Sequence, residues 1–175
     1  MMNDNFWQAL DTLAKEHTLQ SRRITGMVEK RDLLMNITYT NEISVEDYNI
    51  LRDSVGWGAC NCEKVRMALD RSDFIIAARI NGQTVGMARV MQDGLQAIVM
   101  DVMVLPDYQQ QGIGKTMMGH VMEYLKSISH EGGIFVNLMS AKGREEFYEQ
   151  FGFIKRPTDD RGCGMAQWIE VKEVG

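Results

Sequence analysis

The sequence predicts an α/β protein built on a mixed sheet. Three observations carry this. Apolar residues recur with helical period over 112–129, where Ile113, Met117, Met118, Val121, Met122, Leu125 and Ile128 share one side. Two hairpin signals, Asn81-Gly82 and Asp93-Gly94, join three β-rich runs into an antiparallel meander. Helical and β-rich segments follow the order β-α-α-β-β-β-α-β-α-β-β, with no internal repeat.

Each element has a local reason. Residues 4–17 carry a helical stripe of Phe6, Leu10, Leu13 and Ala14, and 20–32 are polar with Arg22, Arg23, Lys30 and Arg31. Residues 1–35 therefore read as a helical extension and linker, and 36–175 as the main domain. Residues 36–40 alternate and are β-rich, a first strand. Ser44 then opens a helix to about Ser54, because its hydroxyl suits an N-cap and Glu46 and Asp47 follow in the first turn. Gly56-Trp57-Gly58 breaks that helix, and a second runs over 62–70. Strands are expected at 74–80, 83–91 and 95–105, the last ended by Pro106. Both turns between them are expected to be type I′, which needs φ > 0 at its two central residues. After the 112–129 helix, Gly132-Gly133 turns the chain into a strand at 134–139. A short helix over 143–151 stops at Gly152, and a final strand pair covers 152–155 and 165–171.

Composition excludes several classes. The chain has 175 residues, 45% of them hydrophobic and 25% charged, which is ordinary for a globular domain and unlike a disordered tail. A net charge of −5 argues against a nucleic-acid binder, which would show a basic footprint. No apolar run approaches the roughly 20 residues of a membrane span. The first residues, Met1 to Trp7, have no basic or apolar signal region, so a cytoplasmic protein is expected. Cys60, Cys62 and Cys163 are odd in number, which suits reduced thiols. Cys60-Asn61-Cys62 lacks C-x2-C zinc spacing, and His17, His120 and His130 are scattered, so no metal is expected.

The stretch from Val102 to Thr116 carries the chemistry. A strand runs into a tight loop with Gly112 and Gly114, and a helix follows. Glycines admit close backbone approach. The helix start adds free N–H donors and about half a positive charge. Together these suit a phosphate or pyrophosphate. A P-loop would need glycine at 109, which is Gln, and a Rossmann loop would need glycine at 117, which is Met.

Gln109-x-x-Gly112-x-Gly114 resembles the Q/R-x-x-G-x-G/A signature of the GNAT superfamily of acyl-CoA-dependent N-acyltransferases. Phe147-Tyr148-Glu149-Gln150-Phe151-Gly152-Phe153 resembles the family's second signature, F-Y-x-x-x-G-F. The element order from 36 to 171 is also similar. The resemblance implies a mixed, mostly antiparallel sheet with helices on both faces. It implies acetyl-CoA as cosubstrate, no metal, and transfer of acetyl to a primary amine by direct attack in a ternary complex. In the family, a bulge splays the motif strand from its neighbour and acyl-CoA lies in the gap. By position, amides of Val102, Met103 and Val104 would meet the pantetheine arm and thioester. Those of Gln109, Gln110, Gln111, Gly112, Ile113, Gly114 and Lys115 would cradle the pyrophosphate. Tyr148 matches the tyrosine that protonates the departing thiolate. The alternative is a tyrosine simply packed among Phe147, Phe151 and Phe153.

The base is less defined. An alkylammonium of pKa near 10.4 costs roughly 4.6 kcal/mol to deprotonate at pH 7. Asp101, on the same sheet face as Met103 if the strand alternates regularly, is the best candidate. A strand-edge Asp tied to backbone or solvent is the competing reading. His120 lies mid-helix and reads as a surface or packing residue. Where many members place an Asn before the second motif, this chain has Leu138-Met139-Ser140-Ala141-Lys142, so Ser140 or Asn137 is the polar candidate. The acceptor pocket is expected between Gly56–Cys60 and residues 156–167, where Trp57 and Asp159, Asp160 and Arg161 would suit an aryl or alkyl amine. A small amine is favoured, with a peptide or protein N-terminus as the other acceptor type. A non-catalytic acyl-CoA-binding or regulatory module is the alternative function. Family members are often dimers, and a Phe6–Trp7 helix would serve either such an interface or the domain's own core. The methionines of the 112–129 helix read as core filling.

Overall fold

Helices on both faces of one sheet give the fold its two cores. A computed structural model describes residues 37–168. The expected helix over 4–17, the 20–32 linker and the end of the last strand lie outside the described residues. The strands are β1 (Ile37–Thr40), β2 (Phe74–Ile80), β3 (Gln83–Gln92), β4 (Gln96–Val104) and β5 (Phe135–Leu138). They form one sheet in the order β1-β2-β3-β4-β5. Every pairing is antiparallel except β4 with β5, which is parallel. The helices are α1 (Val45–Ser54), α2 (Cys62–Asp70), α3 (Ile113–Ile128) and the short α4 (Glu145–Glu149).

α1 starts where Ser44 accepts from the Asp47 amide, and α2 where the Asn61 side chain accepts from the Glu63 and Lys64 amides. These caps satisfy orphan N–H groups and set the helix boundaries. α3 buries Ile113, Met117, Met118, Val121 and Leu125 against β2, β3 and β4. The methionines here fill core. On the opposite face, Tyr48 and Leu51 of α1 and Val65 of α2 close over Met87 and Met103.

Asn81 and Gly82 both have positive φ, 50° and 83°, as a type I′ turn requires. The second hairpin differs from expectation. Gly94 is at φ 89° but Asp93 is not in the left-handed region, so no type I′ turn forms. Instead the Asp93 carboxylate accepts from the amides of Leu95 and Gln96, at 2.9 and 2.8 Å. That side-chain bond substitutes for turn geometry, as Asp commonly does. The expected strand at 152–155 also does not form, nor is there a strand over 165–168. The chain turns at Gly152, and Thr158 N–H closes a further turn onto Arg161 C=O. Ile154, Met165 and Trp168 are 79%, 95% and 92% exposed, so no buried face pulls this segment into the sheet.

β4 departs from regular pairing at its middle. Met87 pairs with Met103 but Arg89 pairs with Met100, so Asp101 and Val102 together oppose Ala88. This is a β-bulge, with Asp101 at φ 52°. Next to it β3 and α3 approach closely. A Cβ on Gly86 would sit 2.9 Å from Met103 O, 3.1 Å from Met117 Cε and 3.2 Å from Val104 Cγ2. Backbone cannot give way as a side chain can. Gly86→Ala is therefore expected to destabilise by about 1–3 kcal/mol, read as a fall in Tm of several degrees in thermal unfolding.

Candidate active site

The bulge and the shortness of β5 together open a cleft. β5 pairs with β4 only from Gln96 to Val99. From Met100 onward β4 keeps β3 on one side and, among the described residues, has no strand on the other. Leu105 N–H donates to Val85 O at 2.8 Å, on the β3 side. Alternation then turns the Val104 amide and carbonyl toward the gap. The carbonyl is taken there by Gln109 Nε2 at 3.0 Å, and the amide is left facing the cleft.

The loop after β4 ends on an uncapped helix. Gln110 and Gly112 take positive φ, 58° and 89°. Gly112 is the N-cap of α3 and has no side chain to cap with, and no acidic residue lies in the first turn. The first intrahelical bond is Thr116 N–H to Gly112 O, at 2.9 Å. The amides of Ile113, Gly114 and Lys115 therefore lack intrahelical acceptors. α1 and α2, by contrast, have capping side chains and acidic first turns. α3 instead carries Lys115, so its start presents uncompensated positive charge.

α4 and the chain before it form the facing wall. Gln109 joins the two walls, since its Oε1 accepts from Arg144 Nη2 at 3.2 Å. Tyr148 packs edge-on against Phe147 at 5.0 Å and Phe153 at 6.2 Å. Its hydroxyl makes no hydrogen bond among the described residues. Burial raises its pKa above the usual 10, and the Arg144 charge offsets part of that. At neutral pH the phenol is therefore protonated.

A third wall comes from the α1–α2 loop. Gly56 and Gly58 flank Trp57 with φ of 80° and 71°. Arg52 fixes this loop by donating from Nε to Gly58 O at 3.0 Å and from Nη2 to Trp57 O at 3.3 Å. Its guanidinium also lies 5.7 Å from the Trp57 ring centroid.

Beneath the bulge is a buried charge network. Asp101 Oδ2 accepts from Arg89 Nε and, at 2.8 Å, from the Tyr48 hydroxyl. Arg89 also donates from Nη1 to Ser72 Oγ at 3.3 Å. The Arg89 and Asp101 side chains are only 10% and 13% exposed. Burial and the Asp101 charge raise the pKa of Tyr48, so its phenol also stays protonated and donates.

The cleft between these walls has a volume of about 500 Å³. Of the residues named from sequence, Asp101, Val102, Val104, Gln109, Gln110, Gly112, Gly114, Lys115 and Tyr148 line it. The side chains of Met103 and Ile113 are buried in the two cores, and the sequence expectation rests on their backbone amides alone. Gln111 turns to Asp107 O, and Ser140 Oγ donates to the neighbouring Ala141 O. Asn137 Nδ2 donates to Gln96 Oε1 at 3.3 Å. His120 packs on Tyr39, ring centroids 5.4 Å apart, away from the cleft. The Asp160–Arg161 segment, expected beside the acceptor, borders a different depression with Phe135 and Asn137. No strand over 152–155 carries it back toward the cleft. The three cysteines are exposed and free. Among the described residues, no cluster of three or more His, Cys, Asp or Glu could hold a metal, and no helix is long and apolar enough to cross a membrane.

Sequence reasoning missed Arg144, Met139, Arg89 and Tyr48. Arg89 left a signal, a charge within the apolar strand Val85–Met91 that requires a buried counter-charge. Arg144 lies three positions before Phe147, one helical turn ahead of the second motif.

Comparison with known proteins agrees with this geometry. A family model described as "Acetyltransferase (GNAT) domain" matches residues 70–155. An uncharacterized N-acetyltransferase, ycf52, of Gracilaria tenuistipitata var. liui is 30% identical over 143 residues, 77% of this chain and 76% of that protein. GCN5-related N-acetyltransferase 1, chloroplastic, of Arabidopsis thaliana is 28% identical over 138 residues, 77% of this chain and 68% of that one. A crystal structure of a GNAT family acetyltransferase from Streptococcus pneumoniae is 30% identical, with a TM-score of 0.62 over 78% of this chain and 98% of its own. A Staphylococcus aureus structure, also 30% identical, gives a TM-score of 0.69 over 76% of this chain and 99% of its own.

The charge network gives a stability test. Asp101→Ala leaves Arg89 buried without a counter-charge and is expected to cost about 3 kcal/mol. Asp101→Asn tolerates the positive φ and can still accept from Tyr48, so it should cost less. Denaturant unfolding of the two variants checks both the magnitude and the order.

Proposed function

The chain belongs to the GNAT superfamily of acetyltransferases, and from that premise we propose that it transfers acetyl from acetyl-CoA to a small primary amine by direct attack in a ternary complex. One observation carries this reading. The open edge of β4 and the uncapped start of α3 line the same cleft as the Tyr148 side chain, whose hydroxyl makes no hydrogen bond among the described residues.

In this reading the diphosphate of acetyl-CoA sits on the amides at 112–115. Lys115 and Arg144 add positive charge there. The pantetheine arm follows the open edge of β4, where the Val104 amide is a free donor. A preorganised amide aimed at developing oxyanion charge is worth more in a dry cleft than in water. The neutral amine attacks the thioester carbon. The C–N bond forms, the C–S bond breaks, and the electron pair passes to sulfur. Tyr148 gives that sulfur its proton and recovers one from solvent, while water takes the proton lost by nitrogen. Its raised pKa keeps the phenol loaded throughout the neutral range.

Asp101 takes a different part from the base that its position in the sequence suggests. Oδ2 already accepts from a guanidinium and a phenol. We assign it to holding the bulge, and therefore the gap beside β4. That commitment of the one lining carboxylate also favours a second reading, an acyl-CoA-binding module without turnover. Release of CoA from acetyl-CoA in the presence of an amine separates the two.

Two results are expected. Acetyl-CoA at 100 times its Kd should add about 2.7 kcal/mol of stability, seen as a thermal shift that ATP does not reproduce. Tyr148→Phe should lower kcat by roughly 100-fold and leave acetyl-CoA affinity nearly unchanged. Absence of any shift at millimolar acetyl-CoA would remove the basis of this function.

A further inference from the structure

Resting on the acetyl-transfer reading, we propose that the acceptor is a weakly basic primary amine on an apolar or aromatic body, an α-amino group carrying an aromatic side chain rather than an alkylamine. The cleft is short of bases. Among the described residues lining it, Asp101 is the only carboxylate, and there is no His, Cys or Glu. The Asp101 Oδ2 atom is held by Arg89 and Tyr48. The lining charges that remain are cationic, Lys115 and Arg144. Among the described residues, an ammonium entering this cleft meets no counter-charge that is not already paired.

The acceptor must then arrive already neutral. At pH 7 an alkylamine of pKa near 10.4 is only one part in about 2,500 neutral, whereas an α-amino group of pKa near 8 is roughly one part in ten neutral. The weaker base is intrinsically the poorer nucleophile. For sulfur nucleophiles that loss is about half a log unit in rate per pKa unit, and a similar sensitivity for nitrogen recovers only part of the difference. The weakly basic amine therefore keeps a net advantage of about tenfold or more at neutral pH.

The body attached to the amine is read from the other wall. Val55, Trp57, Met100 and Met139 also line the cleft. Trp57 is 45% exposed and Met139 79% exposed. Arg52 and the two flanking glycines hold the Trp57 loop in place. A fixed, half-exposed indole in a cleft wall that also carries methionines suits an aromatic ring.

Phenylalanine amide and phenethylamine test this directly. They share one aromatic body, and the carboxamide of the first makes its amine the weaker base. The full chain is assayed for acetyl transfer with both from pH 6 to 10. At pH 7, kcat/KM for phenylalanine amide should exceed that for phenethylamine by about tenfold. Each profile should rise to a plateau with a midpoint that follows the pKa of its own amine. Equal rates at pH 7, or a rising limb at one fixed pH for both amines, would reveal an enzyme base and overturn the proposal. Trp57→Ala should raise KM for phenylalanine amide more than for glycine amide, and equal effects would overturn the aromatic assignment. A peptide with N-terminal Phe distinguishes the sources. Turnover at least equal to that of the free amide assigns the α-amino group to a chain terminus, and much slower turnover assigns it to a small molecule. No acetylation of any of these amines, with acetyl-CoA binding intact, would instead overturn the acetyl-transfer reading itself.

Discussion

The buried pair of Arg89 and Asp101 is the constraint on which the cleft depends. Arg89 stands within an otherwise apolar strand, and its charge can be buried only against an opposite one. Asp101 supplies it from the neighbouring strand, with Tyr48 donating from the helix above. To reach both, Asp101 adopts φ 52°, a conformation that costs an ordinary residue roughly 1–2 kcal/mol. The electrostatic gain holds that strain in place. A bulge results, and β4 bends away where β5 ends. Without the pair, β4 has no stated reason to leave regular pairing at this point.

The remaining walls follow from how chain polarity is left unsatisfied. The starts of α1 and α2 are closed by Ser44 and Asn61, but α3 begins on a glycine that cannot cap. Among the described residues most strand edges are paired, but β4 from Met100 to Val104 has a strand on one side only. Donors left open at both places turn toward one space. Gln109 then ties the strand end to Arg144, so the loop and the facing wall share a single side-chain brace. The cleft is thus positive at the α3 end and apolar beside Trp57, with its one lining carboxylate spoken for.

Much of this was legible in the sequence where a local rule governs. α2 and β2 match their expected bounds because Asn61 caps one and Asp73 precedes the other in a short polar turn. The Asn81-Gly82 turn followed from the φ it demands. The β4 strand, the glycine loop and the 147–153 motif together contain the nine named residues that line one cleft. What local rules do not govern was missed. Asp93 closed its turn through a side chain, so backbone preference misjudged it. The bulge arises from a charge pair between strands 12 positions apart, which no window of local pattern contains. Arg144 reaches the site through Gln109, 35 positions earlier in the chain. The strand expected over 152–155 needs a packed face to accept it, and the exposed Ile154 shows that none is there.

The uncapped start of α3 has a consequence for the protein's lifetime. Its free amides and Lys115 leave this end of the domain less settled until an anion occupies it. By mass action, any anion bound there favours the folded form. The fraction of chains open to proteases then falls as that anion becomes abundant. If acetyl-CoA is that anion, as proposed, a larger supply of it would leave fewer chains open to cleavage.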